Sequence, residues 1–139
     1  NSIMKKSILY LGIVLFALSI TTSAQPSASN SSISKVATFA SIKWETKTKN
    51  IGEIEYNKPV DIYFEFTNEG TVPLTIQKAK ASCGCTVASY PKEPILPGQT
   101  EKIKVKYSAN TKGAFKKSVT ITSNAKEPTQ ILYFSGKTL

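Results

Sequence analysis

From Thr38 to the last residue, apolar and polar side chains alternate in short runs, and no apolar run keeps a helical period over three turns. A period of two sends successive side chains to opposite faces, so these runs can bury one face only as β-strands. The clearest is Lys102-Ile103-Lys104-Val105-Lys106-Tyr107, with lysines on one face and apolar residues on the other. Ala40, Ile42 and Trp44 alternate with Ser41 and Lys43, and Val60, Ile62, Phe64 and Phe66 alternate with Asp61, Tyr63, Glu65 and Thr67. Asn68-Glu69-Gly70 and Pro97-Gly98 read as turns, and Pro73 suits the first position of a strand that sends Leu74 and Ile76 inward. Gly113-Ala114-Phe115 leads into Val119 and Ile121, after which Asn124 to Pro128 turns the chain into Ile131 to Phe134. With a short segment near Lys49 to Ile54, this makes about seven to eight strands at roughly ten-residue spacing. The pattern predicts an all-β, two-sheet antiparallel sandwich over residues 38–139, with an OB-type or other small barrel as the alternative. Trp44, Phe64, Phe66, Ile103, Val105 and Val119 are its expected core.

The residues ahead of this domain read as a targeting segment. Met4, Lys5 and Lys6 form a basic start, and Ile8 to Ile20 is an apolar run of thirteen residues, too short for a comfortable bilayer span. Thr22-Ser23-Ala24 supplies the small residues that signal peptidase inspects. Residues 1–24 are therefore expected to be a signal peptide with upstream residues, leaving Gln25 first in the mature chain and no cysteine there to be lipidated. The three residues before Met4 read as upstream translation or a frame artefact, with a fragment of a longer chain as the alternative, and an uncleaved membrane anchor is the alternative for the whole segment. Residues 25–37 hold five serines with Pro26 and Asn30, too little apolar surface to offset ordering entropy, and read as a flexible spacer. A secreted or periplasmic protein follows, without a stable membrane span after cleavage.

Histidine is absent from all 139 residues, which removes Ser-His-Asp and Cys-His pairs, an imidazole base and the usual histidine-containing metal sites within one chain. The formal net charge is +9, and every basic residue is lysine. A positive balance favours anionic partners. Export and the lack of arginine, whose planar fork reads phosphates and bases, argue against nucleic acid. Lysines on strand edges oppose sheet-to-sheet aggregation, a sufficient account of the charge.

Several segments in fixed order carry a family resemblance. They are Phe64-Glu65-Phe66-Thr67-Asn68-Glu69-Gly70, Pro73-Leu74-Thr75-Ile76, Ser82-Cys83-Gly84-Cys85-Thr86, Pro94-Ile95-Leu96-Pro97-Gly98, Ile103 to Tyr107, Gly113-Ala114-Phe115 and Ser123-Asn124. From Ala40 to Gly136 the chain resembles the bacterial domain-of-unknown-function family 1573. The resemblance implies an immunoglobulin-like sandwich similar to PapD-like and major-sperm-protein-like domains, exported or envelope-associated, with no established activity.

Cys83-Gly84-Cys85 is the one chemical lead. In extended backbone, residues two apart lie about 6.6 Å apart on one face, near the upper limit for a disulfide, so closing one needs the bend Gly84 permits. Such a bond would be strained and open to exchange with partner thiols, and Lys78 and Lys80 are the nearest cations in sequence. Two free thiolates would instead suit Cu(I), whereas zinc lacks its remaining ligands. A third reading is inert packing or an inert bond.

Other candidates are weak. Asn110-Thr111-Lys112-Gly113 lacks the glycine and Gly-Lys-Ser/Thr order of a phosphate loop and reads as a hairpin turn. Glu53 and Glu55 read as solvated edge charges rather than an acid-base pair. The sequence thus points to a non-enzymatic immunoglobulin-like module binding a protein or envelope partner, with a thiol redox or Cu(I)-handling protein acting through Cys83 and Cys85 as the alternative. It leaves the oligomeric state open.

Overall fold

Each alternating run folds as a strand with its apolar side turned inward, in a computed structural model that describes residues 38–139. The expected signal peptide and spacer lie outside the described residues. The strands are β1 (Ile42–Trp44), β2 (Thr48–Ile54), β3 (Val60–Asn68), β4 (Ile76–Ala81), β5 (Thr86–Ser89), β6 (Thr100–Tyr107), β7 (Gly113–Ser123) and β8 (Thr129–Thr138). They form two four-stranded sheets, ordered β1-β3-β6-β5 and β2-β8-β7-β4. This is the all-β sandwich that the spacing predicts, and two separate sheets set the barrel alternative aside.

The inward faces make one core. Phe64, Ile103, Val105, Val119, Leu132 and Phe134 are fully buried, and Trp44 and Phe66 join them with ring centroids 5.1 Å apart. Trp44 also donates from Nε1 to Gln130 Oε1 at 2.7 Å, so its one polar atom is satisfied across the sandwich. The lysine face of β6 stays outside, where Asp61, Tyr63 and Glu65 of β3 stand opposite Lys106, Lys104 and Lys102. Asp61 lies 2.9 Å from Lys104, and its hydrogen bond and charge hold that ammonium above the ordinary lysine pKa. The lysine side of the pair is therefore charged at neutral pH, and the stability it gains from Asp61 is lost as pH rises through the raised value.

Two expectations are corrected. The sandwich is not wholly antiparallel: β2 runs parallel to β8. After β1 the chain leaves the first sheet and enters the second beside its last strand, where the Lys47 carbonyl accepts the Tyr133 N–H at 2.8 Å. Close approach here depends on Gly136, because a Cβ on it would lie 2.6 Å from the Gly52 carbonyl oxygen. The segment Asn110-Thr111-Lys112-Gly113 is not a hairpin turn, since β6 and β7 lie in different sheets and it carries the chain between them. By contrast, Asn124 to Pro128 does join an antiparallel neighbour pair, β7 and β8.

Thr138 is 2% exposed, and its hydroxyl has no hydrogen-bond partner among the described residues. Thr138→Val keeps the shape and removes the orphaned group, so it is expected to be neutral or to raise stability by up to about 1 kcal/mol, as read by thermal melting.

Candidate functional site

β4 and β5 are edge strands of opposite sheets, and the chain passes directly from one to the other through Ser82 to Cys85. Cys83-Gly84-Cys85 is therefore the corner at which the chain switches sheets. Ser82 is still held to the second sheet, donating its N–H to the Ser118 carbonyl at 2.9 Å and accepting the Ser118 N–H on its hydroxyl at 3.1 Å. Cys85 already belongs to the first sheet, where its carbonyl accepts the Ser108 N–H at 2.9 Å.

Between these anchors Cys83 and Cys85 are joined as a disulfide, with Cα atoms 5.3 Å apart rather than at the extended spacing. The chain draws them together by a turn in which the Thr86 N–H reaches the Cys83 carbonyl at 3.3 Å. Gly84 sits exposed at the tip, outside the left-handed region, and a Cβ there would meet nothing within 4 Å. The bend thus rests on the turn and the two sheet anchors, not on a conformation reserved for glycine. Both cysteines are half-buried, and Cys85 packs against the core. With the sulfurs bonded to each other, neither is the free thiolate that Cu(I) binding needs. Among the described residues there is no cluster of three or more His, Cys, Asp or Glu that could hold a metal ion.

Two neighbours escaped sequence reasoning. Thr86 is 5% exposed, and its hydroxyl lies 3.5 Å from Cys83 Sγ and 3.9 Å from Cys85 Sγ. Lys117 is half-buried on β7, on the inward parity of Phe115 and Val119. Ala81 pairs with Val119 and Ser82 bonds Ser118, so the same register continued by one residue brings Cys83 beside Lys117. Lys78 and Lys80, the cations suggested by sequence, stand exposed along β4 opposite Thr122 and Thr120. The acidic pair is not a pair either: Glu53 contacts Lys137 at 3.1 Å and Glu55 contacts Lys58 at 3.2 Å.

The second feature of this corner is the strand that leaves it. Among the described residues β5 pairs with β6 alone, and its sequence Thr86-Val87-Ala88-Ser89 has neither charge nor proline. The other edges are guarded by charge, with Lys43 on β1, Lys49 and Glu53 on β2, and Lys78 and Lys80 on β4. Val87 is 61% exposed, the most exposed large apolar side chain among the described residues.

Comparison with known proteins agrees with this architecture. The family described as "Protein of unknown function (DUF1573)" matches residues 42–138. A protein of unknown function from Porphyromonas gingivalis W83 superposes with a TM-score of 0.64 at 14% identity, over 73% of this chain and 48% of that one. This chain thus spans about half the length of that protein. The ASH/PapD-like domain 7 of human CEP192 gives 0.60 at 12% identity over 73% and 87% of the two chains. The YadV chaperone gives 0.52 at 14% identity over 70% and 51%. At these identities the likeness is one of fold, immunoglobulin-like and PapD-like. No curated protein matches the chain.

Proposed function

The chain belongs to the DUF1573 family, and from that premise we propose that it is an exported, non-enzymatic binding or assembly module of the cell envelope, periplasmic or secreted, that takes up an extended segment of a partner protein along β5. The observation that carries this reading is the unguarded edge of β5. Cys85 bonds toward β6 through its carbonyl, so by the alternation of an antiparallel ladder Val87 and Ser89 also face β6. Ala88 then turns its N–H and C=O outward, offering one donor and one acceptor to an added strand, while Val87 offers apolar surface beside them. A chaperone shares the fold, which supports a protein partner.

Export predicts that protein recovered outside the cytoplasm begins at Gln25 by intact-mass measurement. Recovery in the membrane fraction with Met4 still attached would contradict it. Docking predicts that a photo-crosslinking residue at Val87, in cells making the full chain, yields a discrete protein adduct. The same residue at Tyr133, exposed on the outer face of the second sheet, is expected to yield none. Equal adducts at both positions, or none at Val87, would overturn the β5 reading.

A further inference from the structure

We infer that the Cys83–Cys85 bond is a thiol–disulfide exchange site that accepts two electrons from a protein dithiol. This inference is independent of the β5 reading. The bond spans a sequence separation of two, so it removes little entropy from the unfolded chain and does little to hold the fold together. The sheet-switching turn is anchored instead by backbone bonds on either side of it, at Ser82 and Cys85. Because folding gains little from the bond, little folding free energy is lost when it is reduced, so the fold does not oppose electron flow from a dithiol whose own disulfide its partner's fold stabilises.

The surroundings assign the two sulfurs different parts. Cys85 packs against the core, whereas Cys83 is not among the residues packed on it and lies on the half-exposed turn beside the open Gly84 tip, which makes Cys83 the sulfur open to attack. The partner's first thiolate attacks Cys83 Sγ and forms a mixed disulfide. The Cys83–Cys85 bond breaks, and its electron pair stays on Cys85 Sγ. That departing thiolate takes the hydrogen bond of the Thr86 hydroxyl, already 3.9 Å away and equally able to turn to Cys83, and then a proton. The partner's second thiolate attacks the partner sulfur of the mixed disulfide, releasing Cys83 as a thiolate that is protonated in turn. The partner dithiol is oxidised to a disulfide, and Cys83 and Cys85 are reduced to thiols carrying the two protons it gives up.

Lys117 is the second positioning group. It takes part in none of the four ion pairs among the described residues, and register brings it to the backbone of Cys83. Its flexible stem starts beside Cys83, so the ammonium is within a lysine's reach of the sulfurs once they are reduced. A bond kept only for packing needs neither this cation nor a hydroxyl within reach of both sulfurs.

The test uses the mature chain from Gln25 and, as probe, a synthetic peptide with two reduced cysteines separated by four residues. Exchange predicts that peptide disulfide forms in step with loss of the Cys83–Cys85 bond, at least about tenfold faster than with the isolated oxidised peptide Ser-Cys-Gly-Cys-Thr. Thr86→Val and Lys117→Met are each expected to slow the reaction several-fold while melting stays within a few degrees. By reversal of the second step, the Cys83 thiolate of reduced Cys85→Ser attacks excess oxidised peptide and is held as a mixed disulfide, because the Cys85 thiolate that would resolve it is missing, and reduced Cys83→Ser should form none. Should Thr86→Val fail to fold, Lys117→Met and the two trapping variants carry the test. A chain that reacts no faster than the isolated pentapeptide, or that traps equally through Cys83 and Cys85, would overturn the inference.

Discussion

Cutting Phe66 back to alanine is expected to destabilise the domain by about 3 to 5 kcal/mol, the range for removing a buried aromatic ring. Phe66 is 1% exposed and meets Trp44 from the edge strand β1. The ring therefore does more than fill volume, because it supports the short strand from which the chain crosses to the second sheet. At roughly 4 °C per kcal/mol for a domain of this size, the melting temperature should fall by about 12 to 20 °C. A loss below about 1 kcal/mol would mean that β3 does not turn this face inward.

The second large effect is expected at Asn68, fully buried at the end of β3. Its Oδ1 accepts the N–H groups of Ser41 at 3.4 Å and Gly70 at 2.9 Å, and its Nδ2 donates to the carbonyls of Val72 and Ile95, both at 2.9 Å. One amide thus ties together the segment before β1, the turn after β3 and the bridge between Leu74 and Ile95. Asn68→Ala removes this partner from the Ser41 and Gly70 N–H groups and the Val72 carbonyl where water enters poorly, at about 1 to 3 kcal/mol for each one that stays unsatisfied, while the Ile95 carbonyl keeps the Leu74 N–H at 2.8 Å. A total loss on the order of 4 kcal/mol is expected in denaturant titration. Neighbouring Gly70 belongs to the same device, since a Cβ on it would collide with the Phe39 carbonyl and the Ala40 Cα.

The strands bearing Phe66 and Ile103 were legible because each has one buried face, and burial writes itself as a period of two. Direction and sheet membership were not, since alternation is indifferent to which neighbour a strand meets. The parallel seating of β2 and the crossing at Asn110 to Gly113 are both of that kind. β5 escaped sequence reading for a different reason: its only large apolar residue, Val87, points outward, so no buried face marks it. The Asn-x-Gly motif announced a turn, but not that Asn68 would be buried at the centre of four hydrogen bonds. At the corner, the two cysteines could be read directly. Thr86 was visible as their neighbour without a role, and Lys117 arrives beside Cys83 from 34 positions away through the pairing of β4 with β7.

The central claim, that β5 is a protein-docking edge, is tested most directly by Ala88→Pro. Proline removes the one outward N–H and spares the ladder to β6, a substitution that an edge strand tolerates. The measurement is the native mass of the tagged chain released gently from its own cells, set beside the melting of the purified protein. The account predicts that the wild type migrates in a complex larger than the chain alone, and that Ala88→Pro migrates alone while melting within a few degrees of wild type. A complex that survives Ala88→Pro intact, or a wild-type chain that already migrates alone, would contradict it.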